Sequence, residues 1–76
     1  MNFYFKTPKG TVSIIYKNNT QRFHIIFKDE DLGNNHSPQA AASDAAGGHT
    51  FSHSSGIDLA DLGIPEDLQQ WDQGNP

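Results

Sequence analysis

Hydrophobic and polar positions change their spacing once along this chain, near residue 29. Before it, apolar side chains alternate with polar ones in short runs, the period of a strand with one buried face. The segment FYF is short but aromatic and β-favouring. TVSIIY places Val12, Ile14 and Tyr16 on one side and Thr11, Ser13 and Ile15 on the other. QRFHIIFK sets Phe23, Ile25 and Phe27 against Arg22, His24, Ile26 and Lys28. Thr7-Pro8-Lys9-Gly10 and Lys17-Asn18-Asn19-Thr20 have turn chemistry: proline pre-sets φ, while glycine and asparagine accept left-handed dihedrals. Links this short make neighbours antiparallel.

Beyond Asp29-Glu30-Asp31, where the sheet is expected to end, the signals become helical. Ser37 is a capping residue, Pro38 suits the first helical position, and the alanines that follow propagate a helix until Gly47-Gly48 stops it. A helix of about nine residues does not stand alone, so it must dock through Ala41, Ala42, Ala45 or Ala46. Residues 49–57 are a polar return connection in which Phe51 is expected to turn inward. Asp58 caps a turn over Leu59-Ala60-Asp61-Leu62 that Gly63 ends, and Ile64–Trp71 suggests one or two further helical turns. Leu59, Leu62, Ile64, Leu68 and Trp71 are the apolar anchors there.

The expected fold class is therefore α+β: a small three-stranded antiparallel β-meander packed with one short helix and a C-terminal helical turn. Seventy-six residues supply material for one core, so 1–76 is expected to be a single small domain. It divides into a basic region (1–28), an acidic helix-and-loop region (29–72) and a frayed tail (73–76). That division follows charge: all five Lys and Arg precede residue 29 and all nine Asp and Glu follow residue 28, giving +5, −9 and a net of −4. Such a split marks either a charged partner or an acidic half that neutralises a basic one.

Composition excludes some chemistry. With no cysteine there is no disulfide, thiol nucleophile or cysteine zinc site. No apolar run reaches the roughly 18–20 residues that span a bilayer, and the start lacks the pattern of a signal peptide. The expectation is a soluble, cytoplasmic protein with no membrane partner. His49 and His53 stand four apart, but their surroundings are not helical and Thr50 occupies the place of the zincin glutamate, so they are weak metal candidates only. Serines are abundant, yet there is no nucleophile elbow and no phosphate-binding glycine loop. A non-enzymatic protein without a cofactor is expected.

What remains is the second sheet face, which gathers Tyr4, Lys6, Ser13, Ile15, Arg22, His24, Ile26 and Lys28. Ile15 and Ile26 form an apolar centre, and Tyr4 and Arg22 are residue types that dominate interface energies. The leading expectation is a protein-interaction module binding another protein through Tyr4, Lys6, Ile15, Arg22, His24, Ile26 and Lys28. An edge strand offers a second route, including a homodimer, because neither TVSIIY nor QRFHIIFK carries a proline that blunts an edge. Single-stranded nucleic acid is the alternative, with cations on phosphates and Tyr4 or His24 stacking a base. Five cations are few for that role. In a third arrangement the acidic half simply covers this face.

Overall fold

In the computed structural model, which describes residues 2–74, four strands follow one another before the helix. They are β1 (Asn2–Thr7), β2 (Gly10–Lys17), β3 (Arg22–Phe27) and β4 (Glu30–Asn35). Helix α1 (Pro38–Gly47) comes next, then two 3-10 turns (Leu59–Leu62 and Leu68–Gln70) and a two-residue β5 (Asp72–Gln73). The sheet has the order β4-β3-β2-β1-β5, antiparallel throughout. The architecture is α+β, but the three-stranded meander is incorrect: the sheet has five strands, and two short 3-10 turns accompany the helix.

The missed strands have local causes. Glu30–Asn35 has one large apolar side chain, Leu32, so its polarity hides its pairing. The turn before it, Lys28-Asp29, has φ of 48° and 63°, the left-handed pair of a type I′ hairpin built without glycine or asparagine. Between the pairs His24–Asn34 and Ile26–Asp31, two residues of β4 face one of β3. Gly33, at φ 143°, supplies this bulge, which returns Leu32 to the core and Asn34 to the opposite face. In the β2–β3 hairpin the left-handed residue is Gln21 (φ 57°), not an asparagine.

Sequence signals were better guides to the helical part. The Ser37 hydroxyl accepts from the Ala40 amide at 3.1 Å, Pro38 opens α1, and Gly48 closes it in the left-handed region. A Cβ on Gly48 would lie 2.8 Å from Asp58 Oδ1 and 2.9 Å from Ala60 Cβ, so glycine also lets the first 3-10 turn approach. Asp58 and Asp67 cap the two turns through the amides of Ala60 and Gln69. The stretch 64–71 holds one three-residue turn instead of a longer helix, because Trp71 leaves it in an extended conformation. Its indole donates to the Pro65 carbonyl at 2.9 Å. Asp72 and Gln73 then pair with Tyr4 and Phe3, and the Gly74 amide donates to Asn2. The tail is thus tied down as far as Gly74, and Asn75 and Pro76 lie outside the described residues.

One core joins these parts. Phe3, Val12, Ile14, Ile25, Phe27 and Leu32 point from the sheet toward Ala41, Ala42 and Ala45, with Leu59, Ile64 and Trp71 closing the side. Alanine at the helix contact lets α1 lie close to the sheet, so few large side chains are needed. Phe51 departs from expectation: it is 76% exposed, and His53, 6% exposed, occupies the inward place. The Phe51 amide donates to the Leu32 carbonyl at 2.9 Å, which fastens the loop to β4. His53 then packs edge-on against the Phe27 ring at 5.2 Å.

Candidate functional site: the second face of the sheet

Helix α1 and both 3-10 turns contribute to the core on the Phe3–Val12–Phe27 side of the sheet. The other face is organised by register. Across it run the row Asp72–Tyr4–Ser13–Ile26–Asp31 and, two residues along, the row Asn2–Ile15–His24–Asn34. Paired residues share a face, and residues two along are diagonal neighbours. Tyr4, Ile15 and Ile26 therefore surround the small side chain of Ser13, forming a shallow apolar triangle whose members are all half-buried.

Charge surrounds the triangle with both signs. Lys6 and the pair Lys17–Arg22 lie on this face by strand alternation. Asp31 and Asp72 reach it from β4 and β5, which accounts for part of the charge split: the acidic region sends two carboxylates to the face without covering it. Lys17 Nζ is 3.8 Å from Asp31 Oδ2. Arg22 Nη1 donates toward His36 Nε2 at 3.2 Å. Lys28 does not join the group. It sits in the β3–β4 turn, with its ammonium 5.8 Å from the centroid of Phe27, a core-side ring. The Tyr4 hydroxyl and Arg22 Nε are shielded and have no hydrogen-bond partner among the described residues, so this face holds unmet hydrogen-bonding capacity.

His24 is part of the framework. It is 5% exposed, with Nδ1 2.6 Å from Asp31 Oδ2 and Nε2 2.6 Å from Thr20 Oγ1. The carboxylate only accepts, so Nδ1 carries a proton and donates it to Asp31. The order hydroxyl, imidazole, carboxylate also occurs in acyl-transfer sites. Here, however, the hydroxyl stands on an exposed hairpin turn, and such chemistry works best inside a wall that excludes water. The arrangement instead ties the β2–β3 turn and β4 to the sheet. A ring held at both nitrogens is not free to stack a base.

His49 and His53, the weak metal pair, occupy different surroundings. His49 is exposed, with Nδ1 4.0 Å from Asp44 Oδ1. His53 Nδ1 accepts from the Ser55 amide at 3.0 Å, and Nε2 faces Glu30 Oε2 at 3.2 Å. Glu30 also accepts from the Ser54 amide at 3.0 Å and from the Ser54 hydroxyl. These two bonds, with His53 nearby, hold the Glu30 carboxyl below its ordinary pKa against a smaller opposing effect of burial. Among the described residues, no three His, Asp or Glu side chains gather as a metal-holding group.

The edge-strand route also changes. TVSIIY and QRFHIIFK are interior strands, and the sheet ends at β4 and β5. The bond from the Phe51 amide to the Leu32 carbonyl occupies part of the β4 edge. A homodimer paired through the two strands named above is ruled out by this topology. Sequence alternation placed Tyr4, Ile15 and Ile26 on one face, as the register does, but gave no sign of Thr20, Asp31 and Asp72 beside them, whose places depend on a turn and two strands with almost no apolar signal. No helix among the described residues is long and apolar enough to cross a membrane. No known protein family, curated protein or solved structure matches the chain.

Proposed function

We propose that the chain is a non-enzymatic protein-interaction module of the cytoplasm, and that its contact surface is the Tyr4–Ile15–Ile26 triangle with Lys6 and Arg22 at the rim. The observation that carries this reading is the register that groups these three side chains around Ser13 on the face away from the helix. An apolar centre with a charged rim is the usual anatomy of a contact patch, and tyrosine and arginine recur as its energetic anchors. A partner that presents an apolar side chain over Ser13, with carboxylates near Lys6 and Arg22, fits it. The mixed signs support a protein over a nucleic acid, because phosphates there would meet Asp31 and Asp72 as well as the cations.

The test is selection of displayed random peptides on the isotope-labelled protein, followed by titration of a selected peptide in heteronuclear NMR. The expected result is saturable shifts at Tyr4, Ser13, Ile15 and Ile26, lost in Ile15→Thr. Shifts confined to the helical side, or binding unchanged by Ile15→Thr, would overturn the assignment. A parallel titration with a single-stranded oligonucleotide gives no shifts on this face if the reading holds, and salt-sensitive shifts there would replace it with nucleic-acid binding.

A further inference from the structure

On the helical side, away from the proposed contact face, a cleft of about 400 Å³ opens between β4, the C-terminal end of α1 and the start of the return loop. Its volume falls within the range of about 300–1,000 Å³ typical of small-molecule sites. Asn35, Asp44, His49 and Phe51 line it together with Ile25 and Leu32, whose side chains are themselves almost fully buried. Two features shape the cleft. Phe51 is held at the rim by its amide bond to Leu32 while its ring stays 76% exposed. Asp44 is pinned by the Asn35 carboxamide, which donates to Oδ2 at 2.6 Å, leaving Oδ1 4.0 Å from His49.

Charge selects the occupant. Among the described residues, the lining contains one carboxylate and neither lysine nor arginine. A half-exposed carboxylate in a cleft that an exposed phenyl ring also lines is complementary to a cation with an apolar body. We propose that this cleft binds a small organic ammonium. Its NH3+ donates to Asp44 Oδ1, and its hydrocarbon part lies along the exposed Phe51 ring. This site is independent of the sheet-face reading: of the second-face rows only Asn34 also lines the cleft, and Asn34 is not part of the proposed contact surface.

Benzylammonium is the probe, titrated into the isotope-labelled full chain at about pH 7.5. Benzyl alcohol and benzoate are the neutral and anionic controls. Saturable shifts are expected at the amides of Gly33, Asn35, Asp44, Thr50 and Phe51, with a Kd of about 1 mM. Asp44→Asn retains an acceptor for Asn35 but removes the charge, and should weaken binding at least ~10-fold. Phe51→Ala changes an exposed side chain and should weaken it about fivefold. Equal binding of benzyl alcohol, unchanged affinity in Asp44→Asn, or shifts located elsewhere would each overturn the proposal.

Discussion

The two faces of this sheet are held in order by different means. On the covered face, Val12, Ile14, Ile25 and Phe27 are essentially inaccessible, and α1 presents alanines to them. Burial fixes that face, and small helix residues let a thin core close. On the open face the fixed points are polar: His24 between Thr20 and Asp31, and Arg22 beside His36. The apolar residues between them are only half-buried. A small sheet can thus be stabilised by packing on one side and kept orderly by hydrogen bonds on the other, which leaves the second side free to act as a surface.

Substitutions should separate the two modes. The largest effect belongs to the covered face: Ile14→Ala removes a fully buried side chain and should cost about 2–5 kcal/mol in urea unfolding followed by circular dichroism. In a domain of this size that is a large share of total stability. His24→Leu should cost about 1–2 kcal/mol in the same assay, since it deletes two short bonds but leaves Thr20 and Asp31 able to reach water. A loss as large as that of Ile14→Ala would show that both faces are cores. Ile15→Thr keeps a β-branched side chain on the open face and should change stability by no more than about 0.5 kcal/mol.

The smallest effect concerns the loop tied to β4, and it depends on pH. Because Glu30 titrates lower in the folded chain than in the unfolded one, its ionised form favours the fold. That contribution is complete above the ordinary glutamate pKa and is lost as pH falls through the lower, folded value. Glu30→Gln should therefore flatten the acid limb of a stability–pH curve and slightly reduce stability near neutrality. An unchanged acid limb would mean that the Ser54 and His53 contacts do not anchor the loop.

Legibility in the sequence followed the same division. The covered face could be read because burial imposes a two-residue period on β1–β3, and the helix because Ser37-Pro38 and Gly47-Gly48 are chemical start and stop signs. β4 was hidden: its stability comes from pairing with β3, its turn uses Lys28-Asp29 in left-handed conformations, and Gly33 shifts its alternation by a residue. β5 is two residues long and exists only because Trp71 delivers the chain to β1. Phe51 was misplaced since hydrophobicity alone favoured it over His53. The inward place adjoins the Glu30 carboxylate, which an imidazole can face and a phenyl ring cannot. Tyr4, Ile15 and Ile26 were found by alternation, whereas the carboxylates beside them arrived on strands without a periodic signal.

The most direct test is the affinity of the Ile15→Thr, Ile26→Thr double variant for a peptide selected on the unaltered protein, measured alongside its unfolding midpoint. If the open face is a contact surface, stability stays within about 1 kcal/mol and affinity falls at least ~10-fold, or about 1.4 kcal/mol. Unchanged affinity in a folded double variant would contradict that account and move the contact surface elsewhere on the molecule.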